Sequence, residues 1–177
     1  MKRGDDQFLS GRFEWFIGVV EDINDPDQIN RVRVRCFGYH TTDTNKISTD
    51  SLPWATVMMP TTSASYKGTG SNHELMVGSW VVGFFRDGPS AQDPIVMGSI
   101  ATQTDGVTDI PTETQGENYP NRKVHKTAAG HTIEMDNTEG SEEIKIEHSS
   151  GLSHITFNTD GSISVIAPVI YLNGQPN

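Results

Sequence analysis

An all-β fold is predicted by three observations. Glycines recur at Gly130, Gly140, Gly151 and Gly161, and the runs between them alternate apolar and polar residues. The same period of two, the mark of a half-buried strand, returns in short runs between Phe13 and Ile100. No long window places apolar side chains at helical spacing between caps, so no substantial helix is expected.

The N-terminal strands come first. Residues 1–12 are polar and are expected to fray. The first strand runs Phe13 to Ile23; Trp15-Phe16-Ile17-Gly18-Val19-Val20 is apolar on both faces, which predicts a central strand, with a bend or bulge at Gly18. Residues 24–30 (NDPDQIN) have turn composition. The second strand, Arg31 to Tyr39, alternates most cleanly: Val32, Val34 and Cys36 inward, Arg31, Arg33 and Arg35 outward. A polar loop (40–52) leads to a third strand, Trp54–Met59, between Pro53 and Pro60. After a second polar loop (61–73) come strands at Leu75–Arg86 and Pro94–Ile100, separated by the turn Asp87-Gly88-Pro89. Five strands of which the first is long and bent predict an OB-type barrel over residues 13–101, whose closure removes exposed edges.

Residues 102–123 are rich in Thr, Asp, Gly, Pro and Gln and are read as an extended linker. Beyond it, residues 124–177 contain four strands, at 132–135, 144–147, 155–158 and 163–165, with a candidate fifth at Val169–Leu172. Glu139-Gly140, Ser150-Gly151 and Asp160-Gly161 form the turns. Each strand offers only about two inward apolar side chains. A stripe that thin cannot offset the entropy of ordering the segment. Something must cover Ile133, Met135, Ile144, Ile146, Ile155, Phe157, Ile163 and Val165. Other copies of the chain are the favoured cover; a small extension of the N-terminal sheet is the alternative.

Composition narrows the partners. A formal net charge of -10 argues against duplex DNA, RNA and anionic membranes. The lone Cys36 excludes an internal disulfide framework and is expected to be a buried, inert thiol. The N-terminal segment lacks the apolar core of a secretory signal, which predicts a protein made and kept in the cytosol or released by a signal-independent route. There is no Gly-x-Ser-x-Gly elbow and no His-Glu-x-x-His pair, so no enzyme and no cofactor is expected. Glu134, Asp136, Glu139, Glu142, Glu143 and Glu147 read as a solvated outer face. His148 and His154 flank one turn and could meet across a hairpin, and three copies of the chain could supply the ligands of an axial metal; yet both flank the apolar stripe rather than interrupt it, and exposed histidines are the expectation.

The ordered set Gly18-Val19-Val20-Glu21-Asp22, Asp25-Pro26, Arg31-Val-Arg-Val-Arg35, Leu52-Pro53-Trp54, Trp80-Val81-Val82-Gly83-Phe84-Phe85 and Pro94-Ile95-Val96-Met97-Gly98 resembles the OB domain of central spike proteins of contractile-tailed phages, the tail-lysozyme and hub-spike family. It also resembles the matching region of VgrG proteins of type VI secretion. Residues 124–165 resemble the start of the intertwined triple-stranded β-helix that follows the barrel in such spikes. The resemblance implies a homotrimer with the eight apolar residues as its seam, a tail hub protein at the barrel end, and a tip protein of the PAAR type at the other. It implies a place in the virion tail baseplate, assembled in the host cytoplasm, and transient contact with the host envelope. The match has gaps. The stretch between Ala101 and Lys123 is too short for the muramidase domain some members carry there, and the His-x-His motif of other tips is missing.

The function this implies is a non-enzymatic central spike that pierces the envelope. A VgrG-like spike of a secretion or defective-prophage apparatus is the first alternative. An OB-fold module for single-stranded nucleic acid, using Arg31, Arg33 and Arg35 with Phe37 and Tyr39, is the alternative of another class. Under the spike reading the three arginines become candidate hub or intersubunit contacts, since Arg suits interfaces.

Overall fold

The computed structural model describes residues 13–171, and within them every regular element is a β-strand or a short 3-10 turn. Residues 1–12 lie outside the described residues. The chain divides between Thr102 and Gln103 into two compact units.

The first unit is a closed barrel of β1 (Glu14–Asp22), β2 (Arg31–Cys36), β3 (Trp54–Val57), β4 (Trp80–Phe85) and β5 (Pro94–Ser99). Its order is β1-β2-β3-β5-β4, with β4 returning to β1. All pairings are antiparallel except β3 with β5. Alternation decides what points inward. Phe16 and Val20 of β1, Val32, Val34 and Cys36 of β2, Ala55, Val81, Phe85 and Val96 form one buried cluster, with Val57 and Leu75 packed against it. Burial pushes the Cys36 thiol up to about 12, so it stays protonated and unreactive at neutral pH.

The barrel differs from the sequence expectation in several places, and β2 and β3 end at Cys36 and Val57, short of Tyr39 and Met59. The strand expected from Leu75 begins only at Trp80, because Gly78 takes a positive φ of 96° and Ser79 N–H donates to the Met76 carbonyl, closing a turn. The register shift on β1 falls between Val20 and Asp22 rather than at Gly18. Gly18 and Gly83 serve close approach instead. A Cβ at Gly83 would sit 2.1 Å from the Ile95 carbonyl oxygen and 2.6 Å from Phe16 Cζ.

The second unit opens with a small hairpin of β6 (Gln103–Thr104) and β7 (Val107–Thr108), in the stretch read from sequence as extended. A five-stranded antiparallel meander follows: β8 (Arg122–Lys126), β9 (Thr132–Asp136), β10 (Glu143–Glu147), β11 (His154–Phe157) and β12 (Ile163–Ile166), paired in chain order. Gly130, Gly140, Gly151 and Gly161 all take positive φ, between 70° and 90°, as the turns require. Residues 169–171 are not in a strand, and Leu172 lies outside the described residues. The fifth strand is β8, which the sequence reading passed over.

Gly83→Ala is expected to destabilise the barrel by roughly 2–3 kcal/mol, because the backbone of β5 must move to admit the methyl. Gly98→Ala has nothing within 4 Å of its Cβ and should be near neutral; denaturant midpoints of the two variants make the comparison.

Candidate interaction surfaces

The meander separates its side chains by chemistry. Directly paired residues share a face of an antiparallel sheet. One ladder therefore runs Met135–Ile144–Phe157–Ile163 and a second Ile133–Ile146–Ile155–Val165. All eight residues predicted from the alternation lie on this one face. They are between 39 and 60% exposed. Lys123 and His125 of β8 continue the two ladders at one edge.

The opposite face is polar and better covered. Thr132, Glu134, Asp136 and Thr156 are buried there. Arg122 reaches Glu134 at 2.7 Å and lies 3.6 Å from Asp136. Lys145 pairs with Glu147 at 2.5 Å. The segment ahead of β8 straps this face: Asn118 Nδ2 donates to Asp136 at 3.0 Å and Lys126 bonds Glu113 at 2.5 Å. Glu134 and Asp136 are thus not the solvated acids that composition suggested.

The barrel carries a second uncovered apolar surface. Trp15 and Ile17, read as core on both faces of β1, point outward and are 52 and 46% exposed. Closure of the barrel uses only one face of each strand, so the outer face of β1 packs only sideways, on its strand neighbours. Trp15 pairs with Phe84, Ile17 with Val82 and Val19 with Trp80. Phe13 stacks on Phe84 at 4.7 Å, and Phe37 meets Trp80 at 5.2 Å. The result is a continuous aromatic and aliphatic patch across β2, β1 and β4.

The three arginines of β2 are engaged within the barrel. Arg31 binds Asp25 through Nε and Nη2, at 3.1 and 2.6 Å, and also reaches Asp27. Asp25 accepts the backbone N–H groups of Asp27, Ile29 and Arg31 as well. It is therefore the organiser of the 24–30 turn. The hydrogen-bonded Arg31 guanidinium, aided by these amides, holds the Asp25 carboxyl far below the usual carboxylate range. Arg33 donates to the Thr49 carbonyl, approaches Asp50 at 3.3 Å and lies over Trp54. Arg35 is only 4% exposed. It grips Glu21 through Nε and Nη2 and donates to the carbonyls of Thr41 and Ile47. The 40–52 loop is thereby tied over the strand, and the hydrogen bond from Arg35 draws the Glu21 carboxyl below its usual value.

The histidines are arranged differently from the sequence expectation. His148 meets His131 rather than His154, with ring centroids 4.7 Å apart. No group of three or more His, Cys, Asp or Glu fit to hold a metal occurs among the described residues. A cavity of about 320 Å³ on the barrel is lined mainly by Val57, Met58, Met59, Leu75 and Met97, with His73 and Glu74 at its wall.

A closed five-stranded barrel of this order, followed by a β-meander, defines an OB-barrel protein with a β-structured extension. The chain matches the family described as the Gp5 N-terminal OB domain over residues 38–165, and it belongs to that family. It is 41% identical over 87 residues to the pre-baseplate central spike protein Gp5 of Enterobacteria phage T4, covering 46% of this chain and 15% of that protein. It is 37% identical over 116 residues to protein Gp5 of Vibrio phage KVP40, covering 63% of this chain and 27% of that one. The chain therefore spans only a minor part of the length of these relatives.

Asp25→Asn should weaken the barrel by on the order of 2 kcal/mol at pH 7, since a charged acceptor of several hydrogen bonds is lost. The folded carboxyl titrates below the unfolded one, so its contribution is complete above about pH 5 and declines as pH falls below about 4. Thermal unfolding of wild type and variant should therefore converge in acid.

Proposed function

We propose that the protein is a structural central spike component of a phage tail baseplate, working as a homotrimer joined through the apolar face of its second unit. The observation that carries this reading is the pair of ladders on that face: eight large apolar residues in register, uncovered within one chain. Covering a side chain that is still half exposed contributes about 1 kcal/mol, so eight per subunit form a substantial seam. A central spike is what the T4 relative is called, and a virion tail baseplate is the location this reading assigns. The role is mechanical and non-enzymatic. The barrel joins the spike to the tail, and the sheet unit projects as a rigid point that enters the host envelope when the tail contracts.

The second apolar patch, around Trp15, Ile17 and Phe37, is the surface proposed for a tail hub partner. Arg31 and Arg33 keep part of their side chains exposed, 21 and 15%, and remain candidate hub or intersubunit contacts. The VgrG-like reading shares this chemistry. The reading as a single-stranded nucleic-acid module is less favoured, because Arg31, Arg33 and Arg35 spend their donors on Asp25, Asp27, Asp50 and Glu21 and the chain is strongly acidic.

Light scattering is expected to give the mass of a trimer for the full chain and of a monomer for Ile146→Asp or Ile155→Asp, which place a charge in the middle of a ladder. A variant that remained trimeric would remove this face as the seam. Residues 1–105 alone are expected to be monomeric or weakly associated; a stable trimer of that fragment would move the interface to the barrel.

A further inference from the structure

The histidine pair lies where the apolar face ends. Thr132 pairs with Glu147, and one step further along the same register His131 stands against His148. Their ring contact at 4.7 Å and the alternation of β9 and β10 place both on the side that carries Ile133 and Ile146.

Both rings are already committed at Nδ1. Ser149 N–H donates to His131 Nδ1 at 3.2 Å, bridging two strands. Ser150 N–H donates to His148 Nδ1 at 3.2 Å, and the Ser150 hydroxyl lies 2.9 Å from the same nitrogen. A nitrogen that accepts a main-chain N–H carries no proton of its own, so each ring holds its hydrogen on Nε2. That tautomer offers no Nε2 lone pair to a metal. It also has one response to acid: a proton must add at Nδ1, where at His131 it meets an N–H instead of an acceptor, while at His148 it must displace the Ser150 N–H and turn to the Ser150 hydroxyl. Addition at both rings costs the main-chain N–H contacts to Nδ1 and sets two cations side by side.

The surrounding charges do not cancel this. On the same face β8 contributes Lys123 and His125, a cation and a further imidazole. On the opposite face lie Lys126, paired to Glu113, and Glu147, paired to Lys145, with His154 next to Glu147 on β11.

We propose that the His131–His148 pair makes self-association through this face sensitive to acid, the assembled form requiring both rings neutral and proton uptake releasing the subunits. This rests on the trimer reading above. Covering the face withdraws the rings from water, which opposes charging them. The association constant then falls about tenfold per pH unit for each proton taken up on dissociation.

The test is the molar mass of the full chain by light scattering from pH 8 to pH 5.5, a window chosen above the ordinary carboxylate range. Wild type is expected to be trimeric at pH 8 and to dissociate as pH falls. H131N/H148N keeps a side-chain acceptor in place of each Nδ1 but cannot titrate, and is expected to stay trimeric throughout. A wild type that holds its mass to pH 5.5 overturns the proposal and leaves the trimer reading standing, as does a double variant that dissociates in step with it. A monomer at pH 8 overturns both. Should the double variant not assemble at pH 8, H148N alone carries the comparison: its dissociation midpoint should lie at least half a pH unit below that of wild type, and an unshifted midpoint overturns the proposal.

Discussion

In the second unit the usual partition of side chains is turned round. Thr132, Glu134, Asp136 and Thr156 are buried, while Ile133, Met135, Ile144, Ile146, Ile155 and Phe157 face out. The polar face can be covered because its charges are paired: Arg122 lies between Glu134 and Asp136, Asn118 caps Asp136, and Lys145 and Glu147 pair with each other. The apolar face has no such internal solution. Burial is the only favourable fate for two ladders of Ile, Met, Phe and Val. The proposed function follows from that one constraint, because a small sheet that leaves its apolar side open calls for a cover from outside its own strands.

The barrel obeys the ordinary rule, and its core is complete. Val20, Val32, Val34, Cys36, Val81, Phe85 and Val96 are buried in a closed cylinder. Its loops are fastened by charge. Asp25 gathers three backbone amides and Arg31 into the first turn, and Arg35 pins the 40–52 loop through Glu21 and two carbonyls. An arginine buried this deeply is costly to unpair. Arg35 therefore works as a structural fastener, and of the three β2 arginines it has the least surface left to offer a partner.

Period-two alternation made the barrel strands, the four glycine turns and the eight ladder residues legible without coordinates, because each is a local property of the chain. Three features were not legible, for distinct reasons. Strand β8 reads Arg-Lys-Val-His-Lys, with a single apolar residue, and becomes a strand only because β9 supplies its backbone partners and Glu134 its counter-ion. The outward position of Trp15 and Ile17 was hidden because a run that is apolar on both sides looks like a buried strand. Nothing in the run itself tells whether the second side is covered by this chain or by another. The pairings of Arg35 with Glu21 and of His131 with His148 join residues 14 and 17 positions apart, a separation fixed by register rather than by any short motif.

The shape of the apolar surface bears on the kind of assembly it serves. Each ladder crosses four strands, β9 to β12, at about 4.8 Å per strand, while the two ladders stand only two residues apart along the strand. The greasy strip is therefore long across the strands and narrow along them. Copies packed through such a strip share an axis that runs across the strands, in the direction of the backbone hydrogen bonds. Each added hairpin lengthens the strip by two strands and leaves its width unchanged, which is the geometry of a rod rather than of a globule. In the proposed trimer a load along that axis would fall on stacked main-chain hydrogen bonds and on the side chains of the two ladders. Under the proposed function, a strip of this shape suits a part that transmits force along its axis.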